Sequence, residues 1–414
     1  MEIVQSLVGL ITLPAIAWLV SENRRAFPWR IAAFGLLAQL AVAFVLLGSD
    51  TAKGLFFSLN HVAGGLQEAT VAGAGFVFGY LGGGPLPFEE TRAGTSFILA
   101  FQSLPIIFVI SALSALLWHW RILPAVIRLF SSVLKRLFHL NGATGLASAA
   151  NIFVGMVEAP LLIRPVFASL SRADIFLLMT CGMATIAGTV LFLYASIVSP
   201  VLPDALGHLL IASVISVPAA VAISRIMIPA QTGGGGPDAA EAETPGYSSG
   251  MEAIARGAQQ GISLYLTVVA ILIVFVALVH IANSLLAFLP VEGGVTLQGI
   301  LGFVFRPLVW LTGIPWNEAQ AAGSLMGVKT VLNEFVAYLE FAGEGGEALS
   351  GRSKLIMLYA MSGFANFGSV GIMVGGFSVL APERRGEIAS LGMLSLVSGT
   401  LATCMTGAVV GLVG

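Results

Sequence analysis

Charge is what this sequence has least of. Of its 414 residues only 19 are Lys or Arg and 21 are Asp or Glu, 10% of the chain against 57% hydrophobic. Soluble domains carry about 25% charged residues, so this chain cannot cover a water-exposed surface. The net charge of −2 argues against a nucleic-acid partner. Cysteine is nearly absent: Cys181 and Cys404 lie singly in apolar runs, which gives no disulfide or metal spacing, and both read as small core residues. The five histidines show no ligand spacing either. There is no HExxH, and "GSLMGVK" lacks the full spacing of a phosphate-binding loop. The chain is therefore expected not to be an enzyme and to need no organic cofactor. Any uphill work it does must draw on an ion gradient.

What is present is apolar sequence in long runs, with a mean hydropathy of +0.95. "YLTVVAILIVFVALVHIANSLLAFL" exceeds the roughly 20 residues a helix needs to span hydrocarbon. Backbone groups in a bilayer must be satisfied internally, by helices or a closed barrel. The runs are continuous rather than alternating, which predicts an all-α polytopic membrane protein. About eight spans are expected: 3–20, 31–47, 95–118, 175–198, 205–228, 261–289, 355–380 and 388–412. The first is read as a span rather than a signal peptide, because its positive charges follow the apolar run. Residues 51–86, glycine-rich and interrupted, predict an amphipathic helix along the interface followed by a loop. "QTGGGGPDAAEAETPGYSSG" (231–250) has the composition of a flexible acidic linker.

Arg24, Arg25 and Arg30, then Arg121, Arg128, Lys135 and Arg136, and finally Arg384 and Arg385 form clusters that should face the cytoplasm. That places both termini outside a bacterial cytoplasmic membrane. Two further segments break this topology if each crosses once: 141–167, "NGATGLASAANIFVGMVEAPLLIRPVF", and 313–341, "GIPWNEAQAAGSLMGVKTVLNEFVAYLEF". Each starts with small residues and carries a glutamate, Glu158 or Glu334. Re-entrant hairpins from opposite sides keep the charge pattern consistent. Each hairpin precedes a span interrupted by small and polar residues, "GMATIAGT" (182–189) and "GFANFGS" (363–369). Two units of hairpin and broken helix, oppositely oriented, are the inverted-repeat pattern of secondary transporters, with a site near mid-membrane.

The expected divisions are 1–118 (N-terminal scaffold and interfacial helix), 119–230 (first repeat), 231–250 (linker), 251–312 (long scaffold helix and connection) and 313–414 (second repeat).

A carboxylate at bilayer depth costs several kcal/mol unless it faces a cavity or a partner, so Glu158 and Glu334 are candidate site residues. The bland alternative is a structural ion pair, Glu334 with Lys329 or Glu158 with Arg164. Asn366 and Ser369, three apart, could face one cavity beside the flat ring of Phe364. Helix packing explains that trio equally well when it is taken alone. Asn151, Thr185 and nearby carbonyls offer the hard oxygens a cation such as sodium takes.

At these segments the chain resembles the concentrative nucleoside transporter family. The likeness rests on "LNEFVAY" followed by "GFANFGS", on "GMATIAGTVLFLYA" and on "VGMVEAPLLIRP", and it extends over nearly the whole chain. The resemblance implies a homotrimer in the lipid bilayer that imports nucleosides, coupled to sodium or in some members to protons, through an elevator-like movement. It implies ribose contacts from Glu334, Asn366 and Ser369 with Phe364 beside the ligand. Base contacts would come from Gly155, Met156, Val157, Glu158 and Val190. Sodium would be held by Asn151, Thr185 and the carbonyls of Val154 and Ile186. The family's first hairpin usually reads Gly-Gln-Thr/Ser-Glu, whereas here it reads Gly155-Met156-Val157-Glu158, so an amide and a hydroxyl are replaced by groups that cannot donate to a base. Two other readings follow from that departure. One is a symporter for a different small polar solute; the other is a gate-like membrane protein that binds a ligand without transporting it.

Overall fold

The computed structural model describes residues 2–90, 95–230, 246–290 and 294–413. Most of the acidic linker expected over 231–250 lies outside the described residues. Among those described, every regular element is a helix. The N-terminal part comprises α1 (Glu2–Leu19), α2 (Trp29–Gly48), α3 (Asp50–Phe78), α4 (Leu99–Gln102), α5 (Ile106–His119) and α6 (Ile122–Phe138). Next come α7 (Gly142–Ala150), α8 (Glu158–Leu161), α9 (Arg164–Phe167), α10 (Arg172–Ala184), α11 (Gly188–Val198) and α12 (Ala205–Met227). The remainder is α13 (Gly250–Leu286), α14 (Leu297–Trp310), α15 (Ala319–Val331), α16 (Glu334–Ala342), α17 (Glu344–Glu347), α18 (Gly351–Met361), α19 (Phe367–Leu380) and α20 (Arg385–Val413).

The eight expected spans are largely helical, with breaks at 103–105, 185–187 and 362–366. Six helical stretches among the described residues are long and apolar enough to cross a membrane: Trp29–Gly48, Leu99–His119, Arg172–Val198, Ala205–Met227, Gly250–Leu286 and Pro382–Val413. Residues 351–380 are interrupted between α18 and α19, where the sequence turns to Gly, Asn and Ser. Residues 51–86 form a helix, α3, and a 3-10 turn at Gly79–Gly82. Two helices longer than a single turn have no counterpart among the expected spans and hairpins. Residues 122–138 of α6 place Ile127, Ser131, Leu134 and Phe138 on one buried stripe, a spacing of three and four that marks an amphipathic helix. Helix α14 is the other, and it packs along α15.

The core sits around α12 and α20, both buried along most of their length and packed on each other. Helices α10 and α18, the first halves of the two broken helices, pack on α20. Association between helices in lipid relies on close packing rather than on water exclusion, and glycine permits the approach. A Cβ on Gly323 of α15 would lie 2.5 Å from Gly302 O of α14.

Each helix–turn–helix segment is tied at its base to the helix that follows. In the first, Asp174 of α10 accepts hydrogen bonds from Asn141 (3.1 Å) and Ser171 (2.7 Å). Asn141 itself caps α7, and Arg225 of α12 pairs with the same carboxylate at 2.5 Å. In the second, Glu318 at the start of α15 accepts from the backbone and hydroxyl of Ser350, the cap of α18, both at 3.1 Å. Arg352 donates to Gly313 O at 3.0 Å.

Asp174 and Arg225 are 7% and 5% exposed, so removing one partner leaves a buried charge unpaired, at a cost of about 3–5 kcal/mol. Asp174→Ala is expected to lower the unfolding temperature in detergent sharply. The Asp174→Ala/Arg225→Leu double variant should recover part of the loss. A double variant less stable than both singles would show that the pair is not what makes Asp174 necessary.

Candidate functional site

The two broken helices lose their hydrogen bonding where the sequence offers small and polar residues. Helix α10 ends at Thr185 in extended backbone (φ −122°, ψ 167°), and Ala187 (φ −66°, ψ 137°) leads into α11. Helix α18 ends at Ser362, and Asn366 (φ −147°, ψ 165°) caps α19. The two interruptions pack against each other: a Cβ on Gly363 would lie 2.7 Å from Met183 O and 3.0 Å from the Ala184 carbonyl carbon. The turn of the first hairpin, residues 151–157, closes on the first interruption through Gly188 N, which donates to Phe153 O at 3.1 Å.

A cavity of about 240 Å³ opens among these elements. All nine residues expected at the ligand line it: Gly155, Met156, Val157 and Glu158 from the first hairpin, Val190 from α11, Glu334 from α16, and Phe364, Asn366 and Ser369 from the second interruption. They fall into two poles.

Glu334 organises the first pole. Its carboxylate is buried, at the first residue of α16, where the helix dipole favours an anion. Tyr194 donates its hydroxyl to Oε1 at 2.7 Å, and Asn366 donates Nδ2 to Oε2 at 2.7 Å. Asn366 cannot flip, because its Oδ1 accepts from Ser369 N at 2.7 Å to cap α19. The alternative ion pair does not form: no salt bridge joins Glu334 and Lys329 among the described residues. Lys329 is fully buried with no hydrogen-bond partner at Nζ.

The second pole is the tip of the first hairpin. Glu158 is exposed to the cavity and pairs with neither Arg164 nor any other described residue. Its carboxylate folds over Gly155, where a Cβ would meet Glu158 Oε2 at 2.1 Å. Met156 is buried with its Cβ close over Gly182, and the Val157 methyls rest on Gly376 of α19. These two side chains hold the tip in place as well as forming apolar wall.

The oxygens expected to hold a cation lie just behind this tip. Asn151 is 1% exposed; its Nδ2 donates to Ala147 O at 3.1 Å, while its Oδ1 is buried without a hydrogen-bond partner. The Thr185 hydroxyl lies 2.8 Å from Asn151 O and 2.9 Å from Cys181 O. Val154 and Ile186 sit outside helices, so their carbonyls belong to irregular backbone. A buried amide oxygen left unpaired is costly, and a hard cation drawn to oxygen ligands fits that arrangement.

Tyr194, Asn333 and Thr189 also line the cavity and were not singled out from the sequence. Tyr194 lies four residues past Val190 on α11, so helical spacing from a candidate residue points to it. Much of the remaining wall is one face of α13, with Leu264, Val268, Ile271 and Phe275, joined by Leu193, Phe335 and Ile372. The sequence marks that face only by Thr267, because the middle of α13 is otherwise apolar on every side.

Known proteins resemble this chain along its whole length. The family profile for the Na+ dependent nucleoside transporter C-terminus matches residues 208–411, its N-terminal counterpart residues 8–81, and the Gate profile, nucleoside recognition, residues 100–201. The chain is 37% identical to the Bacillus subtilis transporter YutK, with full coverage of both chains. It is 34% identical to the nucleoside permease NupC of Helicobacter pylori, over 98% of this chain and 97% of that one. The solved structure of CNTnw in an inward-facing substrate-bound state superposes with a TM-score of 0.90 at 34% identity, covering all of both chains. The chain is therefore a membrane transporter belonging to the concentrative nucleoside transporter family, and not an enzyme.

Proposed function

We propose that this protein is a sodium-coupled symporter that imports nucleosides across the bacterial cytoplasmic membrane. The observation that carries this reading is the doubly held Glu334 carboxylate at one end of a cavity whose walls are largely apolar between it and Glu158 at the other end. An ionised carboxylate has about four lone-pair sites. Tyr194 and Asn366 occupy two, which leaves acceptors for the vicinal hydroxyls of a ribose. Ser369 and Asn333 add polar groups at the same end, and the ring of Phe364 gives a flat apolar surface for a base.

Sodium held by Asn151, Thr185 and the Val154 and Ile186 carbonyls would join the first hairpin to the first interruption. The same hairpin carries Gly155 and Glu158. An ion that orders this tip raises substrate affinity, and substrate then raises ion affinity by the same factor. The family profiles describe sodium dependence, which favours sodium over a proton as the coupling ion.

The two hairpins enter from opposite faces and, with their broken helices, form the inverted repeat that moves as one body in an elevator step. Its opposite wall suits that motion. Along α13 the cavity meets apolar side chains and Thr267, whose hydroxyl donates to Ser263 O on its own helix at 2.8 Å. Among the described residues this cavity face of α13 makes no hydrogen bond to another helix, which lets the site slide past. The exposed face of α13, with Ile273, Val276 and Ile281, is where lipid and two further copies would pack in a trimer, with both chain termini outside.

Radiolabelled nucleoside is expected to accumulate in proteoliposomes only with an inward sodium gradient. Asn151→Ala should raise the sodium concentration needed for half-maximal uptake by about tenfold or more, since one of few ligands is lost. Uptake driven by a pH gradient with no sodium present would replace sodium by protons.

Glu334→Gln should cut nucleoside uptake by roughly 100-fold, because hydrogen bonds to charged groups contribute about 1.5–3 kcal/mol each. Tyr194→Phe, which leaves the Asn366 contact, should cost about tenfold or less. Full uptake by the glutamine variant would take Glu334 out of the site. Nucleoside-induced thermal stabilisation without any uptake would favour the gate-like reading instead.

Chemical cross-linking in membranes should yield a species of three chains, and a cysteine placed at residue 413 should react with an impermeant reagent applied outside. A monomer, or labelling only after permeabilisation, would overturn the assembly or the orientation.

A further inference from the structure

Helix α6 carries positive charge that no acidic group in the described structure answers. Between residues 95 and 157 the sequence has no Asp or Glu, yet it has Arg121, Arg128, Lys135 and Arg136. Arg128 donates only to Pro124 O of its own helix, at 3.3 Å. The other three side chains make no hydrogen bond or ion pair among the described residues. Arg128, Ser132 and Arg136, four apart, are exposed on one side of the helix. Leu129, Val133 and Leu137 form a second exposed row directly beside them. The third side is the buried stripe already described, which faces the protein.

Three sides of this kind fit a helix at the edge of a bilayer, with protein on one side, hydrocarbon on the next and headgroups on the third. Helix α6 is not among the stretches that could cross the membrane. Its backbone is left-handed at both ends, at Arg121 (φ 61°) and His139 (φ 53°), so corners set it off from α5 and α7. Exposed Trp120 lies just before the first corner, and tryptophan favours the headgroup level. An acidic soluble protein would suit the arginines without accounting for the row Leu129, Val133 and Leu137. An anionic phospholipid answers both, with phosphate for the guanidinium groups and acyl chains for the apolar row.

We propose that α6 is a docking surface for anionic phospholipid, held by Arg128 and Arg136, and that lipid bound there steadies the first hairpin. The route between them is short. Helix α6 packs along α7, and the stem of Lys135 lies over Gly145 of α7, where a Cβ would meet Lys135 Cγ at 2.7 Å. Phe130 of α6 meets Phe153 in the hairpin turn edge to face, with ring centroids 5.3 Å apart. Phe153 stands between Asn151 and Val154, two of the residues expected at the cation, and its carbonyl accepts from Gly188 N. Whatever fixes α6 against the bilayer therefore fixes the turn that closes on the first interruption.

The test uses the purified full chain in detergent, titrated with phosphatidylglycerol or with phosphatidylcholine, and reads the unfolding temperature. A ligand that binds the folded state raises it, so phosphatidylglycerol should stabilise the protein more than phosphatidylcholine does. In the Arg128→Gln/Arg136→Gln variant, the phosphatidylglycerol needed for half the effect should rise roughly 30-fold. That is the factor about 2 kcal/mol represents, at about 1 kcal/mol for each basic side chain near an anionic surface. The Arg128→Lys/Arg136→Lys variant keeps the charge and should behave like the parent. Hydrogen exchange supplies the second readout: phosphatidylglycerol should slow the amides of residues 151–154 in the parent and not in the glutamine variant. Neither readout requires transport. Equal stabilisation by both lipids, or an undiminished response in the glutamine variant, overturns the docking surface. A polyglutamate peptide that stabilises as well as phosphatidylglycerol overturns the choice of lipid as the partner. Lipid binding that leaves exchange at 151–154 unchanged overturns the link to the hairpin.

Discussion

A buried carboxylate must be satisfied or it destabilises whatever contains it, and here the requirement is met by two other helices. Tyr194 reaches Glu334 from α11 and Asn366 reaches it from the start of α19. Both donors exist only because their helices are interrupted nearby. Asn366 is the cap of the second half of its broken helix, with its oxygen committed to Ser369 N. Tyr194 sits two turns beyond the Thr185–Ala187 interruption. The polar end of the cavity is therefore the meeting point of one hairpin and both broken helices, and the site and the architecture are one arrangement.

Much of this was legible in the sequence. The glutamates stood out because charge is scarce, and the interruptions stood out because Gly, Thr, Asn and Ser fall where an apolar span should continue. All nine residues named for the ligand line the one cavity. What escaped notice did so for identifiable reasons. Helix α6 has an apolar stripe but too little total hydropathy to stand out beside the spans. The wall from α13 is hard to find because the middle of that helix is apolar on nearly every side and gives little period from which to choose a face. Tyr194 was hidden in an apolar run, where a tyrosine reads as packing until a carboxylate is found opposite it.

The rear of the first hairpin carries a different kind of information. Asn151 spends its amide hydrogens on its own helix and leaves its oxygen buried and unpaired. Met156 and Val157, which depart from the residues usual at the tip, are packed on Gly182 and Gly376. The substitution thus alters what the tip can offer a ligand while keeping the tip docked on both broken helices. Lys329 remains without a partner at Nζ although it is wholly buried, and nothing in the surrounding packing accounts for it.

The crossing of the two interruptions at Gly363 has a consequence for how such a protein can diversify. With backbone from one broken helix lying against a glycine of the other, that crossing has no side chain to exchange. Variation is left to the cavity lining, for instance positions 155–158 and 189–190. There a substitution alters the cavity without prising the two interruptions apart.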